Sequence, residues 1–106
     1  KKTSFEEYPT FTVEQYYEIA KELTTALLLL DGTKALGENA HKEILDLLSN
    51  YKFSQNEISL LQDLRIRRNQ SIYEGKQIKL IYLENNEEKI KEIVLRLKTL
   101  LKEKLI

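Results

Sequence analysis

The sequence predicts an all-α protein, a four-helix bundle of up-and-down order, and three observations carry that prediction. Apolar residues recur at helical spacing over four separate segments. One proline and three glycines in 106 residues leave few interior breakers, which suits long helices. No stretch shows the alternation of a half-buried strand.

Residues 1–11 have little periodicity and contain Pro9, so they read as an N-terminal arm, with the bundle spanning 12–106. Thr12 opens the first helix, and Gln15 completes a capping box with it. Tyr16, Ile19, Ala20, Leu23, Leu27 and Leu30 keep one stripe. Tyr17, Leu28 and Leu29 lie off it, and Glu18 falls on the solvated side. A helix apolar on more than one side sits centrally or carries an interface. Asp31-Gly32 ends it.

The second helix is expected from about Thr33 to Asn50, with Leu36, Ala40, Ile44 and Leu47 inward and Leu48 at one edge. Glu43 falls in the middle of that face. A buried glutamate needs a cation, and Arg65 and Arg68 are the candidates. We expect an ion pair with one of them, the alternative being a solvated bundle end. His41, at the edge of the same face, reads first as a packing residue and second as a binding one.

Ser54 to Glu57 forms a second capping box and opens the third helix, which Gly75 terminates. Ile58, Leu61, Leu64 and Ile72 share its apolar face, and Arg65 and Arg68 fall on that same face. Asn69 and Tyr73 lie along the edge, while Arg67 points away. An arginine stem can simply lie along apolar surface with its head in water. Two guanidiniums on one apolar stripe nevertheless break the binary pattern, and such breaks concentrate at functional sites. The last helix holds Ile90, Ile93, Val94, Leu97, Leu101 and Leu105 at helical spacing. It starts near Lys76, or near Asn85 after a short turn.

Composition narrows the function. The 17 basic and 17 acidic residues cancel, which excludes a strongly basic nucleic-acid-binding surface but not a local basic patch. No cysteine is present, so disulfide and thiolate chemistry are excluded, and a single histidine argues against a zinc site. No metal or other cofactor is implied. The longest apolar run, Ala26 to Leu30, is far too short to span a bilayer, and the cytoplasm is the expected setting.

The run Asp63-Leu64-Arg65-Ile66-Arg67-Arg68-Asn69-Gln70-Ser71-Ile72-Tyr73-Glu74-Gly75 resembles the signature of the HEPN superfamily of small all-α bundles. In that pattern an arginine, often followed by asparagine, precedes a histidine by four to six residues. The resemblance implies a metal-independent endoribonuclease, often a toxin paired with a nucleotidyltransferase antitoxin, and a homodimer that joins two motifs into one RNA site. Carried over by position, the catalytic set is Arg68, Asn69 and Tyr73, with Tyr73 where the histidine stands. The Tyr-Glu-Gly ending is similar to a tyrosine-bearing branch associated with archaea.

The replacement bears on the chemistry. Metal-free RNA cleavage needs a base near neutral pKa, which histidine provides at ~6.5 and tyrosine, at ~10, does not. A neutral tyrosine still donates to phosphate or stacks on a base. Binding therefore survives the replacement better than turnover. We expect an RNA-directed module that binds RNA or cleaves it weakly, with Arg65, Arg68, Glu43 and His41 as binding residues. The alternatives are a non-catalytic subunit that partners a nucleotidyltransferase, and a bundle in which Arg65 and Arg68 hold a nucleotide phosphate.

Overall fold

The structure, a computed structural model, describes residues 7–33 and 40–106, apart from the side chains of Ala40 and His41. Four α-helices appear: α1 (Tyr8–Leu30), α2 (Ala40–Asp46), α3 (Gln55–Glu74) and α4 (Leu80–Leu105). A 3₁₀ turn, Leu47–Tyr51, follows α2, and no strand occurs among the described residues. The all-α class is as expected.

Helix α1 starts before Thr12, so the second half of the expected arm is helical, and residues 1–6 lie outside the described residues. Pro9 sits in the first turn, where its missing N–H has no intrahelical partner to lose and its fixed φ suits the helix. At the other end Gly32 adopts φ +80°; its N–H reaches the Leu29 carbonyl and that of Thr33 the Leu28 carbonyl, a Schellman cap. Both boundaries of α3 fall as expected. The Ser54 hydroxyl accepts from the Glu57 N–H, the Glu57 carboxylate accepts from the Ser54 N–H, and Gly75 is left-handed. Helix α4 begins between the two anticipated starts.

The core differs from expectation by a rotation of α1. Val13, Tyr17, Ala20, Thr24, Leu27 and Leu28 are buried, whereas Ile19, Leu29 and Leu30 are exposed. Thr24 explains the shift, because its hydroxyl is satisfied by the Ala20 carbonyl at 2.7 Å and the residue can serve as an apolar one. Tyr17 and Leu28 therefore belong to the core, and the second apolar side of α1 consists of other residues. In α2 the buried side chains are Ile44 and Leu45, with Leu48 in the turn that follows. Leu36 lies outside the described residues.

Side-chain contacts fix the helix directions. Glu14 meets Ser71 and Glu18 meets Arg68, so α1 and α3 run antiparallel. Tyr16 meets Glu87 and Asp31 meets Lys104, so α1 and α4 run parallel. Glu57 meets Arg96 and Asp63 meets Tyr82, so α3 and α4 are antiparallel. The three long helices thus alternate in direction in chain order. Helix α2, seven residues as described, lies against α1 and α3 near Gln62. Further along α3 Ile72 is 51% exposed, although its phase matches that of buried Leu61. The end of α3 that carries the arginine motif is open for this reason.

Candidate functional site

Arg68 reaches across from α3 to α1. Its Nη2 donates to Glu18 Oε1 at 3.3 Å, and its guanidinium carbon lies 5.4 Å from the centre of the Tyr17 ring. Its side chain is only 20% exposed. Lys21 holds the same Glu18 oxygen at 2.7 Å, so one carboxylate faces two cations. Glu18, expected on the solvated side, is thus the acid that meets the motif.

Glu43 does not take that role. It is exposed on α2, and no ion pair joins it to Arg65 or Arg68 among the described residues. Burial of Ile44 and Leu45 turns the preceding position outward. The carboxylate that α2 sends towards the motif is Asp46. Gln62 donates from Nε2 to Asp46 Oδ1 and to the Lys42 carbonyl, both at 2.9 Å. Gln62 Oε1 in turn accepts from Arg65 Nε at 2.9 Å. Arg65 is therefore positioned by a neutral amide, and its charge meets no carboxylate directly among the described residues. The side chain of His41 lies outside the described residues.

Beneath Arg68 lies Tyr17, with no solvent exposure. Its hydroxyl has no hydrogen-bond partner among the described residues. Burial pushes the phenol above its ordinary value, against the opposing pull of Arg68 and then Arg65. Both cations are therefore within electrostatic reach of this ring. Nothing in the sequence pattern separates Tyr17 from a packing residue. Its two polar neighbours across the helix seam are the signal that was missing.

Arg68, Arg65 and Tyr17 come together; Tyr73 does not join them. Five residues after Arg68, it lies about 140° round the helix, and it is 78% exposed at the end of α3. Asn69 is half-buried beside Arg68 in sequence. Within one chain the expected catalytic set is spread over two sides of α3.

Arg67 points away from the face of Arg65 and Arg68, as expected, and it does so towards α4. Its Nε donates to Asp63 Oδ2 at 2.9 Å, and its guanidinium stacks 3.9 Å from the centre of the Tyr82 ring. The Tyr82 hydroxyl donates to the same Asp63 oxygen at 2.5 Å. Burial, then Asp63, holds that phenol well above its ordinary value. A hollow of about 460 Å³ opens beside this cluster, lined by Arg67, Gln77, Lys79, Tyr82, Asn85 and Asn86 together with Ile81. Its lining holds two cations and three amides but no carboxylate. Helix α4 starts here without a side-chain cap and without an acid in its first turn. Of the hollow's two cations, Arg67 is already paired with Asp63.

Among the described residues no group of His, Cys, Asp and Glu has the clustering that a metal ion requires. Comparison of the chain with models of known protein families, with curated proteins and with solved structures finds no match, and the likeness at Asp63–Gly75 rests on those residues alone.

Proposed function

We propose that the chain is an RNA-directed module of the HEPN kind, which binds single-stranded RNA through the arginines of α3 and turns it over slowly or not at all. The observation that carries this reading is Arg68 over the ring of Tyr17, whose hydroxyl has no partner among the described residues, with Arg65 one turn before it on α3. Glu18, the acid that Arg68 meets, is shared with Lys21. Such a set suits a phosphodiester, which supplies two acceptor oxygens and one negative charge. The hollow at Lys79, on the other side of the same helix, offers a further cation beyond a single phosphate. Exposed Tyr73 offers a face on which a base stacks. This favours a strand over a lone nucleotide. Slow turnover follows from Tyr73 standing apart from Arg68 and from tyrosine being a poor proton shuttle at neutral pH. No helix among the described residues is long and apolar enough to cross a membrane, in keeping with work in the cytoplasm.

A second reading has its own observation. Tyr8, Phe11, Ile19, Leu29 and Leu30 form an exposed apolar side of α1. It supports a homodimer, or a nucleotidyltransferase partner of the toxin–antitoxin type. The deciding experiment incubates purified protein with a mixed RNA pool in EDTA and scores retention and cleavage together. Retention that falls steeply with salt, with little cleavage, is the expected result. Tyr73→His should raise cleavage. Brisk cleavage by the natural sequence would assign the proton transfer to another residue. No retention at any salt concentration would leave the protein-partner reading.

A further inference from the structure

We propose that Tyr17 is a phosphate-contacting residue, covered by Arg68 in the free protein and uncovered when Arg68 leaves Glu18 for an incoming phosphate. This rests on the RNA reading for its ligand, but its chemistry is that of any phosphate oxyanion.

A tyrosine hydroxyl buried in a core finds a hydrogen-bond partner, because leaving it without one forfeits its hydration and returns nothing. Tyr17 is wholly buried and its hydroxyl has none among the described residues. Phenylalanine would fill the same volume without that cost. The ring does not lie in a purely apolar setting either. Arg68 sits over it at 5.4 Å, and both Arg68 and Arg65 act on the phenol electrostatically. A donor with no acceptor among the described residues therefore lies close to Arg68 and within electrostatic reach of Arg65, and Arg65 meets no carboxylate directly among those residues. Such a set suits an anion with several acceptor oxygens.

Arg68 is suited to act as the cover. Its contact with Glu18 is a single hydrogen bond of 3.3 Å, longer than a strong charge-assisted one. Lys21 stays on Glu18 at 2.7 Å when Arg68 departs, so the carboxylate is not left alone. Once Arg68 turns to a phosphate, one phosphate oxygen can meet the arginines while another accepts from the Tyr17 hydroxyl. The hydroxyl thus tests whether a true oxyanion has displaced the cover.

The test compares the natural protein, Tyr17→Phe and Glu18→Gln, each with inorganic phosphate and with a single-stranded RNA oligonucleotide. In phosphate-free buffer Tyr17→Phe should melt at the same temperature as the natural protein or several degrees higher, because an unsatisfied hydroxyl has gone. The upward shift in melting temperature with phosphate should vanish, and RNA retention should weaken about tenfold, the loss of one hydrogen bond to a charged group. Glu18→Gln should bind phosphate more tightly, since its carboxylate no longer competes for Arg68. A Tyr17→Phe variant that melts lower yet keeps the phosphate shift and the retention would overturn the proposal and make the hydroxyl a structural one. Unchanged phosphate binding by Glu18→Gln would overturn the role of Arg68 as cover. If the natural protein retains no RNA but shows a Tyr17-dependent phosphate shift, the RNA reading fails and the oxyanion site stands. If RNA is retained equally with and without the hydroxyl, the RNA reading stands and this site fails.

Discussion

Arg96 on α4 donates one guanidinium nitrogen to both carboxylate oxygens of Glu57, at 2.9 and 2.8 Å. The same carboxylate accepts from the Ser54 N–H at 2.8 Å, so it closes the N-terminus of α3 and ties that end to α4. Arg96 also donates to the Lys52 carbonyl and lies 4.0 Å from the centre of the Phe53 ring. Arg96→Ala should therefore lower the unfolding free energy by about 1–2 kcal/mol, the low end of a charge-assisted set because Arg96 is partly solvated. Arg96→Lys should recover only part of it, lacking the planar fork. Urea unfolding measures both. A loss no larger than that of exposed Lys98→Ala would show that the tie contributes nothing.

Two carboxylates make stability depend on pH. Asp31 is held below its ordinary value by Lys104 and then by Tyr51. Burial would raise Glu57, but Ser54 and Arg96 more than offset it and the group ends up lowered. In the unfolded chain both return to the ordinary carboxylate range near ~4, where they bind protons first. Their contribution is thus complete above that range and is lost as pH falls through it towards the depressed folded values. The melting temperature should drop between about pH 5 and pH 3, and Glu57→Gln should make the drop shallower. An unchanged profile in that variant would remove Glu57 from the account.

Neighbouring arginines should fail in different ways. Arg67→Ala breaks the Asp63–Arg67–Tyr82 cluster between α3 and α4 and should cost about 1–2 kcal/mol of stability. Arg68→Ala should cost less stability and more RNA retention. Filter retention and thermal melting on the same samples separate the two. Equal ratios of the two losses would show that neither side of α3 is dedicated to the ligand.

Tyr73→Ala should leave stability within about 0.5 kcal/mol, since the side chain stands in solvent. Weaker retention of single-stranded RNA by this variant would identify the ring as a stacking surface. Retention equal to that of the natural protein would exclude it.

The outward side of α1 makes a separate prediction. Sedimentation equilibrium at micromolar concentration should show a dimer, and Leu29→Glu should return it to a single chain with little loss of stability, because Leu29 is 59% exposed. A single-chain mass for the natural protein would sink the dimer.

Much of the fold could be read from the residues because helix signals are local. Ser54 with Glu57, Gly32 and Gly75 mark boundaries within a few positions of themselves, and the stripe of α4 runs true from Ile90 to Leu97. What could not be read depends on pairing across the chain. The phase of α1 turned on Thr24, whose hydroxyl bonds within its own helix and so hides a polar residue in a core stripe. Glu43 and Glu18 exchange roles because the register of α2 and α1 against α3 is set by distant packing. The motif arginines were visible in the sequence. Their partners Glu18, Gln62 and Tyr17 were not, since no spacing rule links α1 to α3.

The parallel pairing of α1 with α4 has a consequence for how the chain is made. Helix α1 packs most extensively on α4, and the Tyr16–Glu87 contact joins residues 71 positions apart in sequence. A chain leaving the ribosome releases α1 long before α4 exists. Closing so long a loop is entropically slow, and the apolar side of α1 meanwhile faces water or whatever binds such surfaces. A chain stopped before Leu95 would lack Leu97 and both Arg96 and Lys104, the cations that anchor Glu57 and Asp31. Of these four helices α4 is made after the other three, and it is the one on which α1 packs most extensively.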